Sequence, residues 1–100
     1  MSSTSTDIVV EHDLRLQEPR KHKVIMHNDD KTTFDFVIVV LQTVFYKSLQ
    51  ESAELAAHID MSGAAIVGTY TKEVAAEKVA ESISFARLNN FPLMVTHEEI

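Results

Sequence analysis

The chain has 100 residues, 45% of them apolar, a formal net charge of −6 and no cysteine. That composition suits one small domain and excludes disulfides and thiolate metal sites. Its one basic cluster, Arg20, Lys21 and Lys23, falls short of the phosphate-neutralising stripe of a nucleic-acid binder, and the acidic balance favours cationic ligands or basic partners.

Residues 1–21 hold Ser, Thr, charges and a Pro, with apolar residues only scattered. This is a linker composition, so an N-terminal extension over 1–21 and a folded domain over 22–100 are expected. The short apolar run Ile8–Val10 does not suffice for a core of its own. No apolar stretch approaches the length of a membrane span. The N-terminus does not read as a signal peptide, and the expected location is the cytoplasm.

From Lys23 the pattern changes. "KVIMH" is β-rich and is ended by Asn28, Asp29 and Asp30, predicting a strand over Lys23–His27. The following "TTFDFVIVVLQTVFYKS" predicts a helix, with Thr32 as N-cap and Asp35 three residues on. Phe34, Val37, Leu41, Val44 and Phe45 share its apolar face. A second helix opens on Ser48 and Glu51, a capping box, and closes at Gly63, suited to the left-handed C′ position. Its apolar stripe is Leu55, Ala56, Ile59 and either His58 or Met61. "AAIVGTYT" is a strand, and Gly68 inside it marks a bulge or a close approach. Thr71 caps a third helix with Val74, Ala75, Val79, Ile83 and Ala86 in a stripe. Asn89 and Asn90 end it, and Pro92 leads into a last strand, "LMVTHE". The order β-α-α-β-α-β predicts an α+β fold, three antiparallel strands packed against three helices.

Catalytic and metal chemistry find little support. Of the five histidines, His22 and His27 point to opposite faces of a strand, and His58 and Asp60 do not share a helical face. No metal or cofactor is expected. With two glycines in the chain, neither a nucleophile elbow nor a phosphate cradle is present. A binding module is expected rather than an enzyme.

Three stretches, "KVIMHNDDKTTFDFVIVVLQTVF", "GAAIVGTYTKEVAAEKVAE" and "ARLNNFPLMVT", together resemble the ClpS family of adaptors. The resemblance covers Lys23 to about Glu98. It implies a protein that binds bulky hydrophobic N-terminal residues (N-degrons) of substrate proteins and delivers them to a Clp AAA+ unfoldase, ClpA- or ClpC-like. It also implies a monomer, with the N-terminal extension needed for delivery. By resemblance, Asn28, Asp29 and Asp60 hold the peptide α-amino group, an ammonium with three donors and no acceptor. The first side chain enters a pocket walled by Thr32, Phe34, Val37, Ala56, Ile59 and Leu93. For Asp30 two roles stay open, membership of that acceptor cluster and stabilisation of the turn alone. Glu73 and Lys78 match the unfoldase-facing positions of the third helix. The family usually has His at Asp60 and Met at Phe34 and Ala56. The alternative keeps the fold without the ligand: a diverged regulator that docks on the unfoldase and does not read N-termini. A ribosomal domain or a small α+β enzyme is a third class, disfavoured by the missing basic charge and the missing nucleophile or metal set.

Overall fold

The computed structural model describes residues 20–100. Most of the expected extension, with the run Ile8–Val10, therefore lies outside the described residues. The element order is β1 (Lys21–His27), α1 (Phe34–Thr43), α2 (Leu49–Ser62), β2 (Ala64–Thr71), α3 (Lys72–Leu88) and β3 (Met94–Glu99). The architecture is α+β, with an antiparallel sheet of order β2-β1-β3 carrying the helices on one face.

β1 begins two residues before the expected Lys23 because both neighbours still pair with it there. His22 stands opposite Tyr70 on one side and Glu99 on the other. Along β1, Val24 and Met26 are fully buried and face the helices, and Lys23 and Ile25 alternate with them on the open face. In β2 the register slips between Val24 and Ile25, which leaves Val67 as an extra, buried residue. A bulge reverses the side-chain alternation beyond it. Tyr70 is thereby turned toward the core, with its ring centroid 6.4 Å from that of Phe45. The same ring lies over Gly68, where a Cβ would sit 2.6 and 2.7 Å from two ring carbons. Partial burial raises the pKa of the Tyr70 phenol.

The N-cap of α1 is Thr33, not Thr32. The Thr33 hydroxyl accepts from Phe36 N at 3.2 Å, while Thr32 is held by Asp29 in the preceding turn. Phe34 is 45% exposed rather than part of the buried face. Phe36 takes its place, its ring packed at a tilt against Phe85 and Phe91, with centroids 5.1 and 4.7 Å away. α2 has the full Ser48–Glu51 capping box and ends at Gly63 with φ +89°. Neither His58 nor Met61 joins its buried stripe, which is Ser52, Ala56 and Ile59. Ser52 is fully buried, and its hydroxyl finds no partner among the described residues. In α3, Ala75, Ser82 and Ala86 are the buried positions, and Val74 is exposed.

Candidate functional site

The chain leaves β1 through Asn28–Thr33, and two anchors fix this corner. The Asn28 backbone N–H donates to the Gly63 carbonyl at 2.8 Å, tying the corner to the end of α2. Asp29 then folds its carboxylate over the turn. One oxygen accepts from Lys31 N at 2.9 Å and Thr32 N at 2.7 Å, and the other from the Thr32 hydroxyl at 2.7 Å. Partial burial by itself raises the Asp29 pKa. The bonds from Thr32 and Lys31, with the nearby Arg87 charge, outweigh it and lower the value below the ordinary 3.8. Asp29 is therefore ionised at neutral pH. Three of its roughly four acceptor positions are taken, so its main gift to the surroundings is charge.

Beside this corner lies a cavity of about 320 Å³ between the start of α1 and the end of α2. Asn28, Asp29, Asp30, Thr32 and Asp60 contribute the polar lining, and Phe34, Val37, Ala56 and Ile59 the apolar lining. Val37, Ala56 and Ile59 are 7%, 2% and 2% exposed and form the floor, while Phe34 stands half out of it. The side chains of Asn28 and Asp60 are exposed and make no hydrogen bond among the described residues. The lining holds three carboxylates, an amide and no Lys or Arg. Its chemistry suits a cationic head group on an apolar body, because charge-assisted bonds to converging acceptors are the strong ones.

Eight of the nine residues expected around a peptide N-terminus thus line one cavity. The ninth, Leu93, is 1% exposed, belongs to the hydrophobic core and is not among the lining residues. Asp30, whose role the sequence leaves open, lines the cavity, while Asp29 stabilises the turn. Its place directly after Asp29 was the available signal. Glu73 is exposed in the first turn of α3. Lys78 is half-buried; its ammonium donates to the Val44 carbonyl at 2.7 Å and lies 4.5 Å from the Tyr46 ring centroid. It thereby satisfies a carbonyl at the end of α1.

Among the described residues no group of three or more His, Asp or Glu is placed to hold a metal ion. His22 and His97, unrelated in the sequence reading, bring their Nδ1 atoms within 3.0 Å across β1 and β3. Among the described residues no helix is long and apolar enough to cross a membrane.

Fold and cavity define the class: a small α+β domain with an open, acceptor-rimmed recess between its first two helices. The sequence model of the family described as ATP-dependent Clp protease adaptor protein ClpS matches residues 17–96. The ATP-dependent Clp protease adapter protein ClpS of Nautilia profundicola is 41% identical over 95 residues, covering 95% of this chain and 98% of the relative. That of Campylobacter jejuni is 42% identical over 85 residues, covering 85% and 88%. Among solved structures, Agrobacterium tumefaciens ClpS2 bound to L-phenylalaninamide superposes with a TM-score of 0.81 at 32% identity, covering 83% of this chain and all of that one. The chain belongs to the ClpS family of Clp protease adaptor proteins.

Proposed function

We propose that this adaptor binds the N-terminal residue of substrate proteins when that residue is bulky and hydrophobic, and passes the substrate to a Clp AAA+ unfoldase of the ClpA or ClpC kind. The observation that carries the reading is the division of the cavity into an acceptor-rich rim and a buried apolar floor. The α-ammonium sits at the rim and the first side chain on Val37, Ala56 and Ile59. Asn28 and Asp60 supply open acceptors, and Asp29 and Asp30 add negative charge. Phenylalaninamide, the ligand named with the Agrobacterium relative, has this division too, a free α-amino group on a benzyl side chain. The adaptor acts as a cytoplasmic monomer and meets the unfoldase through the α3 surface around Glu73 and Lys78.

The test compares a peptide beginning with free Phe against its N-acetylated form by fluorescence anisotropy. Acetylation removes one partner of a desolvated charge pair and should cost about 2–5 kcal/mol, roughly 30-fold to several thousandfold in Kd. Equal affinity for the two forms rejects the reading. It would leave the alternative, a regulator that docks on the unfoldase without reading N-termini.

A further inference from the structure

A second groove, of about 360 Å³ and more open, is lined by Lys31, Arg87, Asn90, Phe91 and Pro92. All its charged lining is positive, in a chain of net charge −6. It adjoins the N-terminal cavity along the chain, since Lys31 stands between Asp30 and Thr32, which both line that cavity. The groove is rigidly built. Arg87 Nη1 donates to the carbonyls of Phe91 and Leu93 at 2.9 and 3.0 Å, Phe91 N donates to Ala86 O at 2.9 Å, and the Phe91 ring packs at a tilt against Phe36. A guanidinium has five donors, so the other edge of Arg87 keeps donors for a carboxylate. The ion pairs among the described residues join Arg20 to Glu99 and Lys23 to Glu98. Lys31 and Arg87 are in neither, and Arg87 feels only the longer-range charge of Asp29.

We propose that this groove is a second subsite of the peptide site, and that it selects a Glu or Asp at the third or fourth residue of the bound N-terminus. The proposal rests on the peptide reading given above. Position two is disfavoured by charge. Its Cα lies about 3.8 Å from that of the first residue, still beside Asp30 and Asp60, which repel a carboxylate. Two to three residues on, the chain has advanced roughly 7–10 Å and is clear of them. The groove beside Lys47, Glu51, Glu54 and His58 is the rival path. Its charges are mixed, and His58, two residues from Asp60, does not share a helical face with it.

The test uses fluorescein-labelled peptides beginning with Phe, with a single Glu or Lys at position two, three or four. They are titrated against the full chain and against Lys31→Glu. The substitution leaves the backbone bond from Lys31 N to Asp29 in place. In the parent, Glu should bind about three- to tenfold more tightly than Lys at position three or four, the sum of one exposed attraction gained and one repulsion avoided. High salt should shrink that ratio, and Lys31→Glu should abolish or reverse it. Equal binding of the Glu and Lys peptides, a preference for Lys, or a ratio unmoved in Lys31→Glu overturns the subsite while leaving N-terminal recognition standing. Failure of every free-amino peptide to bind overturns both.

Discussion

Ala56 is the wall position where the size of the cavity can be changed by one side chain. It is 2% exposed, and its methyl group lines a space of about 320 Å³. Ala56→Met adds about three non-hydrogen atoms, and at the roughly 30 Å³ that a water-sized group occupies these take roughly 90 Å³. More than a quarter of the cavity is lost, leaving roughly 230 Å³ by the same measure. A Leu side chain of about four heavy atoms needs roughly 120 Å³, Phe with about seven roughly 210 Å³, and Trp with about ten roughly 300 Å³. The parent should therefore admit all three, and the variant should admit Leu freely, Phe barely and Trp only with strain. Overpacking costs about 1–3 kcal/mol, so the Trp-to-Leu affinity ratio should fall about fivefold to 150-fold. Peptides differing only in their first residue, read by fluorescence anisotropy, give that ratio directly. The ratio is insensitive to any general loss of active protein, and a thermal melt checks that the variant is folded. An unchanged ratio in a folded variant would show that Ala56 does not bound the space occupied by the first side chain.

Two further outcomes follow from buried and bonded groups. Asp29→Asn weakens three hydrogen bonds at the corner and removes a charge, so it should lower stability by about 1–2 kcal/mol at pH 7 and weaken the free-Phe peptide more than its acetylated form. Because the folded-state pKa of Asp29 lies below 3.8, its stabilisation is present above that value and is lost as pH falls through the lowered one. Melts of the parent and of Asp29→Asn should converge below pH 3.8 and stay separated from about pH 5 to 7; a constant separation down to the acid end would contradict the assignment. Ser52→Ala removes a fully buried hydroxyl with no partner among the described residues from a helix. It should be neutral or stabilising by up to about 1 kcal/mol, and a clear drop in Tm would mean that the hydroxyl is satisfied after all.

The helix boundaries were legible wherever the signal was local. Ser48 with Glu51, Gly63 and Thr71 perform the capping their residue types advertise. Such caps depend on backbone groups within three or four residues, which the sequence lays out directly. The misplacement of the α1 cap by one residue has a competing local cause. Asp29 engages both the N–H and the hydroxyl of Thr32, and two threonines in a row give no hint of which is taken. The buried face of α1 was misread at Phe34 because the choice between Phe34 and Phe36 is made by Phe85 and Phe91, far along the chain. The bulge at Val67 was legible only as an oddity at Gly68. Its consequence, the inward turn of Tyr70, needs the β1 register.

The candidate site divides along the same line. Its polar rim could be read because Asn28, Asp29 and Asp30 are consecutive and a corner keeps neighbours together. Its floor could not be read from periodicity, since Val37, Ala56 and Ile59 carry the pattern of ordinary core and are as buried as core. Only the resemblance to a family separated them. Floor and rim are brought together by the β1–β2 ladder, which runs to His27 opposite Ala64 and is continued by the bond from Asn28 N to Gly63 O. Gly63 is where α2 ends because its φ of +89° is open to glycine and strained for a side chain. The residue that reads as a simple helix stop therefore also sets how far Ile59 and Asp60 stand from the Asn-Asp-Asp corner. Any residue that moved this stop by one position would rotate α2 by about 100° relative to the corner, which would carry Asp60 off the rim and leave the floor without its acceptors.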